Sequence, residues 1–108
     1  MAFKGDGGII AHVNFNGVSD AIRHSMRVSS ITDSGNADYT INFSSSFPTA
    51  SFSWAGAGAR LSNDPNSWCG EFNGARGSGS IKIRFFDSSA SQYEPDIAMC
   101  IFTCNDFS

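Results

Sequence analysis

Few residues in this chain have the types and spacing for chemistry, and they are scattered. His12 and His24 stand in no nucleophile motif. Glu71 and Glu94 fall in separate predicted loops, so no carboxylate pair flanking a substrate bond can be built from them. The glycines of 74–79 precede a strand, whereas a phosphate cradle follows a strand and opens a helix; a turn is expected there. Asp33, Asn36 and Asp38 offer oxygen ligands of the kind Ca²⁺ takes, but no distal bidentate acid completes the set, and a β-turn is the favoured reading. Ser44, Ser45 and Ser46 read as solvated strand ends. Asn42-Phe43-Ser44 is formally a glycosylation acceptor, discounted because no secretion signal accompanies it. The cysteines are Cys69, Cys100 and Cys104, and an odd number makes no disulfide framework. Cys100 and Cys104, in one predicted strand, would lie about 13 Å apart, beyond the roughly 7 Å Cα spacing of a bridge. Buried free thiols are the expected state; the alternative, a metal site completed by His12 or His24, lacks a CxxC pair. No catalytic residue, metal or cofactor is expected.

Aromatic side chains in polar surroundings are the better candidates for function. Trp68 and Phe72 lie in a glycine-, asparagine- and serine-rich stretch, near Asn63, Asp64 and Asn66. An aromatic face beside amide and carboxylate groups suits both the apolar and the hydroxyl side of a sugar, or a peptide. The competing reading makes Trp68 and Phe72 a small cluster packed beneath their own loop.

The elements that must position these residues read as strands. Tyr39, Ile41 and Phe43 alternate with Thr40 and Asn42, the period-two pattern of a half-buried strand. They form the second arm of a hairpin spanning 25–43, joined by a loop of four to six residues over Asp33–Asp38. The first arm, with Met26 and Val28 against Arg27 and Ser29, slips at Ser29-Ser30-Ile31, where a bulge or inward serine restores register. Further strands are expected at 9–16, 51–55, 80–86 and 97–103, with Pro48 at an edge or corner. Segment 19–25 is one helical turn or more strand. Segment 55–80 holds either a short strand near Arg60-Leu61-Ser62 or a functional surface loop. The core is expected from Val13, Phe15, Val28, Tyr39, Ile41, Phe43, Phe52, Ile83, Phe85 and Met99. The last strand is apolar on both faces, with Ile97, Met99 and Ile101 against Ala98, Cys100 and Phe102. One face therefore needs a second cover, and a neighbouring subunit near Cys100 and Phe102 is the expected one.

The chain has 108 residues, enough for one domain. Ten Phe and a single Leu, with abundant Gly and Ser, favour strands and turns over helices. The fold class expected is all-β: an antiparallel sandwich of six to eight strands over 9–108, preceded by an arm at 1–8. A formal charge of −3 with no basic cluster argues against nucleic acid, and no apolar run approaches the ~20 residues that span a membrane. The N-terminus lacks the pattern of a signal peptide, so synthesis and folding in a cytoplasm are expected.

A family resemblance rests on the segments His12-Val-Asn-Phe-Asn-Gly17, Ala21-Ile-Arg23, Val28-Ser-Ser-Ile-Thr-Asp33, Asp38-Tyr-Thr-Ile-Asn-Phe43 and Phe47-Pro48. With Asp96–Phe102 as the closing strand, they resemble a domain of tailed-bacteriophage structural proteins. That domain is common in marine phages, often at or near the end of tail-fibre-like proteins. The family usually has Trp where this chain has His12, and Met-Pro where it has Phe47-Pro48. The likeness is dense over 11–48 and thin over 49–96. It implies a virion component, assembled in the host cytoplasm, without catalysis: a fibre-like appendage or adsorption module that meets a host-surface glycan or protein. The alternative is a capsid or tail decoration, cement or head-fibre protein that contacts other virion proteins. It also implies a homotrimer.

Overall fold

The computed structural model describes residues 9–59, 67–72, 74 and 76–104. Their strands, in chain order, are β1 (Ala11–Phe15), β2 (Ile22–Met26), β3 (Val28–Gly35), β4 (Asp38–Phe43), β5 (Ser53–Ala59), β6 (Trp68–Glu71), β7 (Ser80–Phe86) and β8 (Ile97–Thr103). They form two antiparallel four-stranded sheets, in the orders β2-β1-β8-β5 and β3-β4-β7-β6. The fold is an all-β sandwich. The possible strand at Arg60-Leu61-Ser62 and the arm at 1–8 lie outside the described residues.

Alternation decides which side chains enter the core. Ala11, Val13 and Phe15 of β1 are buried, as are Tyr39, Ile41 and Phe43 of β4 and Ile81, Ile83 and Phe85 of β7. At one end the rings of Phe43, Phe47, Phe52 and Phe102 pack together, Phe43 stacked on Phe47 at 4.1 Å and edge-on to Phe102 at 5.0 Å. At the other end Tyr39 lies edge-on to Phe15 and Phe85. Its hydroxyl donates a 2.6 Å hydrogen bond to the Gly17 carbonyl, and burial raises its pKa.

The predicted hairpin is real but shorter than the sequence implies. Its first arm is cut at Arg27, which takes φ 61° and turns the chain from one sheet to the other. Ser25 and Met26 thus belong to β2, paired with β1. Register shifts between Val28 and Ser30, where a bulge was expected. Only Asn36 and Ala37 separate β3 from β4, with Ala37 at φ 64°, so the loop is two residues and not four to six. Segment 19–25 resolves as strand from Ile22 onward.

β8 overturns two expectations. Ala98, Cys100 and Phe102 are buried, whereas Ile97, Met99 and Ile101 face outward at 38%, 42% and 43% exposure. Met99 is therefore not a core residue, and Cys100 and Phe102 are not on a shared outer surface. Pairing fixes the choice. Ala11, Val13 and Phe15 stand opposite Phe102, Cys100 and Ala98, so all six share the inner face. On the other flank Phe102 and Cys100 stand opposite Trp54 and Gly56. A long loop over 55–80 is also corrected: β5 continues to Ala59, and Trp68–Glu71 is a strand.

Candidate functional site: the outer face of β6 and β7

β6 is an edge strand paired with β7, with Trp68 opposite Phe86 and Gly70 opposite Arg84. Alternation turns Cys69 and Glu71 inward and Trp68 and Gly70 outward. The Phe72 amide continues the pairing by donating to the Lys82 carbonyl. Trp68 and Phe72 thus lie on one outer face, about 13 Å apart along the strand, with Gly70 between them. Gly70, Glu71, Phe72, Arg84 and Phe86 line a shallow cavity of ≈ 290 Å³. The glycine at its floor leaves open the space beside the half-buried Phe86 ring, which a Cβ there would meet at 3.5 Å. Trp68 is 56% exposed. Trp68, more than half exposed, is not tucked beneath a loop; Phe72 is half-buried beside Lys82 and Arg84. Asn63, Asp64 and Asn66 precede Trp68 in the β5–β6 connection and lie outside the described residues.

Two cations frame Phe72: the Lys82 ammonium lies 4.6 Å from the ring centroid and the Arg84 guanidinium 4.8 Å. Arg84 is clamped from the neighbouring strand by Asp38, through Nε–Oδ1 and Nη2–Oδ2 bonds of 2.6 and 3.0 Å. These bonds hold the Asp38 carboxyl below its ordinary value and raise Arg84. The Gln92 amide donates to the Asn36 carbonyl at 2.6 Å beside them. On β3 and β4 the face continues as hydroxyls and amides: Asn42 donates to the Thr32 and Ser30 hydroxyls, and Ser34 meets Thr40 at 3.2 Å. The exposed Trp68 ring, with half-buried Phe72 and Phe86, a fixed guanidinium and a polar ladder on the same face, can stack on an apolar ligand face and hydrogen-bond its hydroxyls. Lys82 and Arg84 are legible in the sequence as outward residues of β7. Phe86, Gly70 and Asp38 are not legible as parts of the site, because β6 shows no period that would fix its register.

The other candidates disperse. Glu71 turns inward, where its carboxylate accepts from Trp54 Nε1 at 2.9 Å and from Arg76 Nε and Nη2 at 2.8 Å each. Arg76 also donates to the Ala50 and Phe52 carbonyls and lies 4.1 Å over the Phe52 ring. One arginine thereby fastens the glycine-rich segment to the start of β5. His12 and His24 stack at 5.0 Å on the outward side of β1 and β2. Cys100 points to the opposite side of that sheet, so these groups do not converge on a metal. Asp33 accepts from the Gly35 amide and Asp38 is committed to Arg84, so the hairpin loop is a turn. No group of three metal-ligating side chains occurs among the described residues, and no helix among them is long and apolar enough to cross a membrane.

Carboxylate pairing makes stability pH-dependent. Hydrogen bonds from Arg84 and Arg76 depress the folded-state pKa values of Asp38 and Glu71 below 3.8 and 4.5. Their contribution is complete above those ordinary values and is lost as pH falls through the depressed ones. Asp20 has the opposite sign. Burial, then the Asp33 charge, raises its pKa, so its protonation favours the fold. Urea titrations from pH 6 to pH 2 are expected to show stability declining below about pH 4. In Asp38→Asn the decline is expected to be shallower. An unchanged acid limb in that variant would remove Asp38 as its source.

Comparison with family models, with curated proteins and with solved structures returns no match. The class this chain defines is therefore stated from its own geometry: an antiparallel β-sandwich with an aromatic, hydroxyl-rich outer face on one sheet.

Proposed function

We propose that the chain is a structural protein of a tailed-bacteriophage virion: a fibre-like surface appendage, assembled in the host cytoplasm, that meets the host without catalysis. The segment resemblance over 11–48 supports the phage assignment. The observation that carries the adsorption role is Trp68, more than half exposed on a sheet face whose floor is Gly70 and whose flanks are Phe72, Phe86 and Arg84. A large exposed aromatic beside a fixed cation suits recognition of a cell-surface glycan, with a host protein as the other partner class.

A second reading, a decoration or cement protein, is favoured by a different surface. Ile97, Met99 and Ile101 form an apolar stripe on the outer face of the other sheet, where another virion protein or another copy would pack. We assign the homotrimer contact to this stripe, in place of Cys100 and Phe102.

Trp68→Ala separates the two readings. Attachment to host cells is expected to fall at least about tenfold, as for loss of a central aromatic anchor. The melting temperature should stay within a few degrees, because the ring lies outside the core. Retained attachment together with lost stability would make Trp68 a packing residue and end the adsorption assignment.

A further inference from the structure

Cys69 and Cys100 come from different sheets and meet across the sandwich. Cys69 is on β6 and faces inward; Cys100 is on β8, directly opposite Gly56 of β5. A Cβ at Gly56 would stand 3.2 Å from Cys69 Sγ and 3.4 Å from Cys100 Sγ, so the two sulfurs converge on the space a side chain there would fill. Both thiols are free. Two inward glycines, Gly56 and Gly58, let the edge of one sheet approach the other at this point. Cys104 lies four residues beyond Cys100 and is also buried.

We propose that Cys69 and Cys100 are a dithiol–disulfide pair that locks β6 to β8 when the protein passes from a reducing to an oxidising medium. The oxidant class is a low-molecular-weight disulfide. Cys69 is half-buried and Cys100 only 1% exposed, so Cys69 meets the oxidant first. Its thiolate attacks one sulfur of the external disulfide and expels one thiolate, leaving a mixed disulfide on Cys69. Cys100 then loses its proton to the medium and attacks the Cys69 sulfur, expelling the second thiolate. Two cysteine thiols are oxidised, one external disulfide is reduced, and the two protons end on the two released thiols. The hydrogen bond to Cys69, then burial, hold the Cys100 pKa high, which fits the resolving and not the attacking role.

The lock ties down the short edge strand that carries Trp68 and Gly70. It also closes the chain between 69 and 100, which restricts the unfolded state. The inference does not rest on the functional reading, since it concerns two thiols inside the sandwich.

The test uses the full chain, purified reduced and then incubated with oxidised glutathione. One free thiol, Cys104, is expected to remain in denaturant, with a peptide linking 69 to 100 by mass spectrometry. The melting temperature is expected to rise on the order of 10 °C and to return on adding reductant. Cys69→Ala and Cys100→Ala should abolish the rise, and Cys104→Ala should keep it. Three free thiols after incubation, a bridge that includes Cys104, or glutathione held stably on Cys69 with no bridge would each overturn the proposal.

Discussion

Phe102→Lys is expected to abolish cooperative folding. Phe102 is fully buried, and its ring meets Phe43 at 5.0 Å, Phe52 at 6.1 Å, Phe47 at 6.4 Å and Trp54, stacked, at 6.4 Å. Removing a buried phenylalanine ring costs about 3–5 kcal/mol, and lysine adds a charge with no partner among four aromatic rings. A domain of this size commands only about 5–15 kcal/mol in all. Near-UV circular dichroism and urea titration check the outcome: no aromatic signal and no sigmoidal transition. A soluble Phe102→Lys variant with a cooperative transition would show that the inward face of β8 has been assigned wrongly.

Where one face of a strand is apolar and the other polar, the sequence suffices. Val13 and Phe15, Tyr39, Ile41 and Phe43, and Ile83 and Phe85 all enter the core as alternation requires, and Val28 and Phe52 join them. β8 offers no such contrast. Its register against β1 and β5 is a long-range fact, and only that register sends Phe102 inward and Met99 outward. β5 fails for another reason. Ala-Gly-Ala-Gly-Ala has the composition of a loop, yet its glycines mark a close approach. A Cβ at Gly58 would lie 2.7 Å from the Ile97 carbonyl oxygen, 2.9 Å from Ser67 Oγ and 3.1 Å from Phe85 Cε2. Positive φ at Arg27 and Ala37 runs against the preference of both residues, so neither the corner nor the tight hairpin carries a local signal.

The candidate site divides along the same line. Trp68 and Phe72 are conspicuous as large rings in a polar stretch. Their partners Arg84 and Phe86 become partners only once β6 is paired with β7. Arg76 is the least legible: a glycine-flanked arginine reads as a solvated turn, but its contacts with Glu71, Ala50 and Phe52 make it a fastening.

Ile101→Lys combined with Met99→Lys is expected to give the opposite result from Phe102→Lys: a folded chain that no longer assembles. Both residues lie on the outer face of the β2-β1-β8-β5 sheet. Met26, His12, Ile101 and Ala55 stand in one cross-strand row, and His24, Asn14, Met99 and Ala57 in the next. Neither row contains Asp, Glu, Lys or Arg. Small alanines on β5 leave Met99 and Ile101 proud of the surface, at 42% and 43% exposure. Fully burying an exposed side chain of this size stabilises by roughly 1.5–3 kcal/mol. With less than half of each still exposed, covering Met99 or Ile101 in a contact adds under half of that, and the two per copy give the proposed trimer its main apolar anchor. Lysine there costs the fold little, because solvent already reaches the position. In a contact between copies it brings like charges together under low hydration. Multi-angle light scattering at micromolar concentration is expected to report a trimer for the native chain and a monomer for the double variant. The two melting temperatures, extrapolated to infinite dilution, should agree within a few degrees. A monodisperse native monomer would refute the assembly, and an unfolded double variant would refute the outward placement of this face.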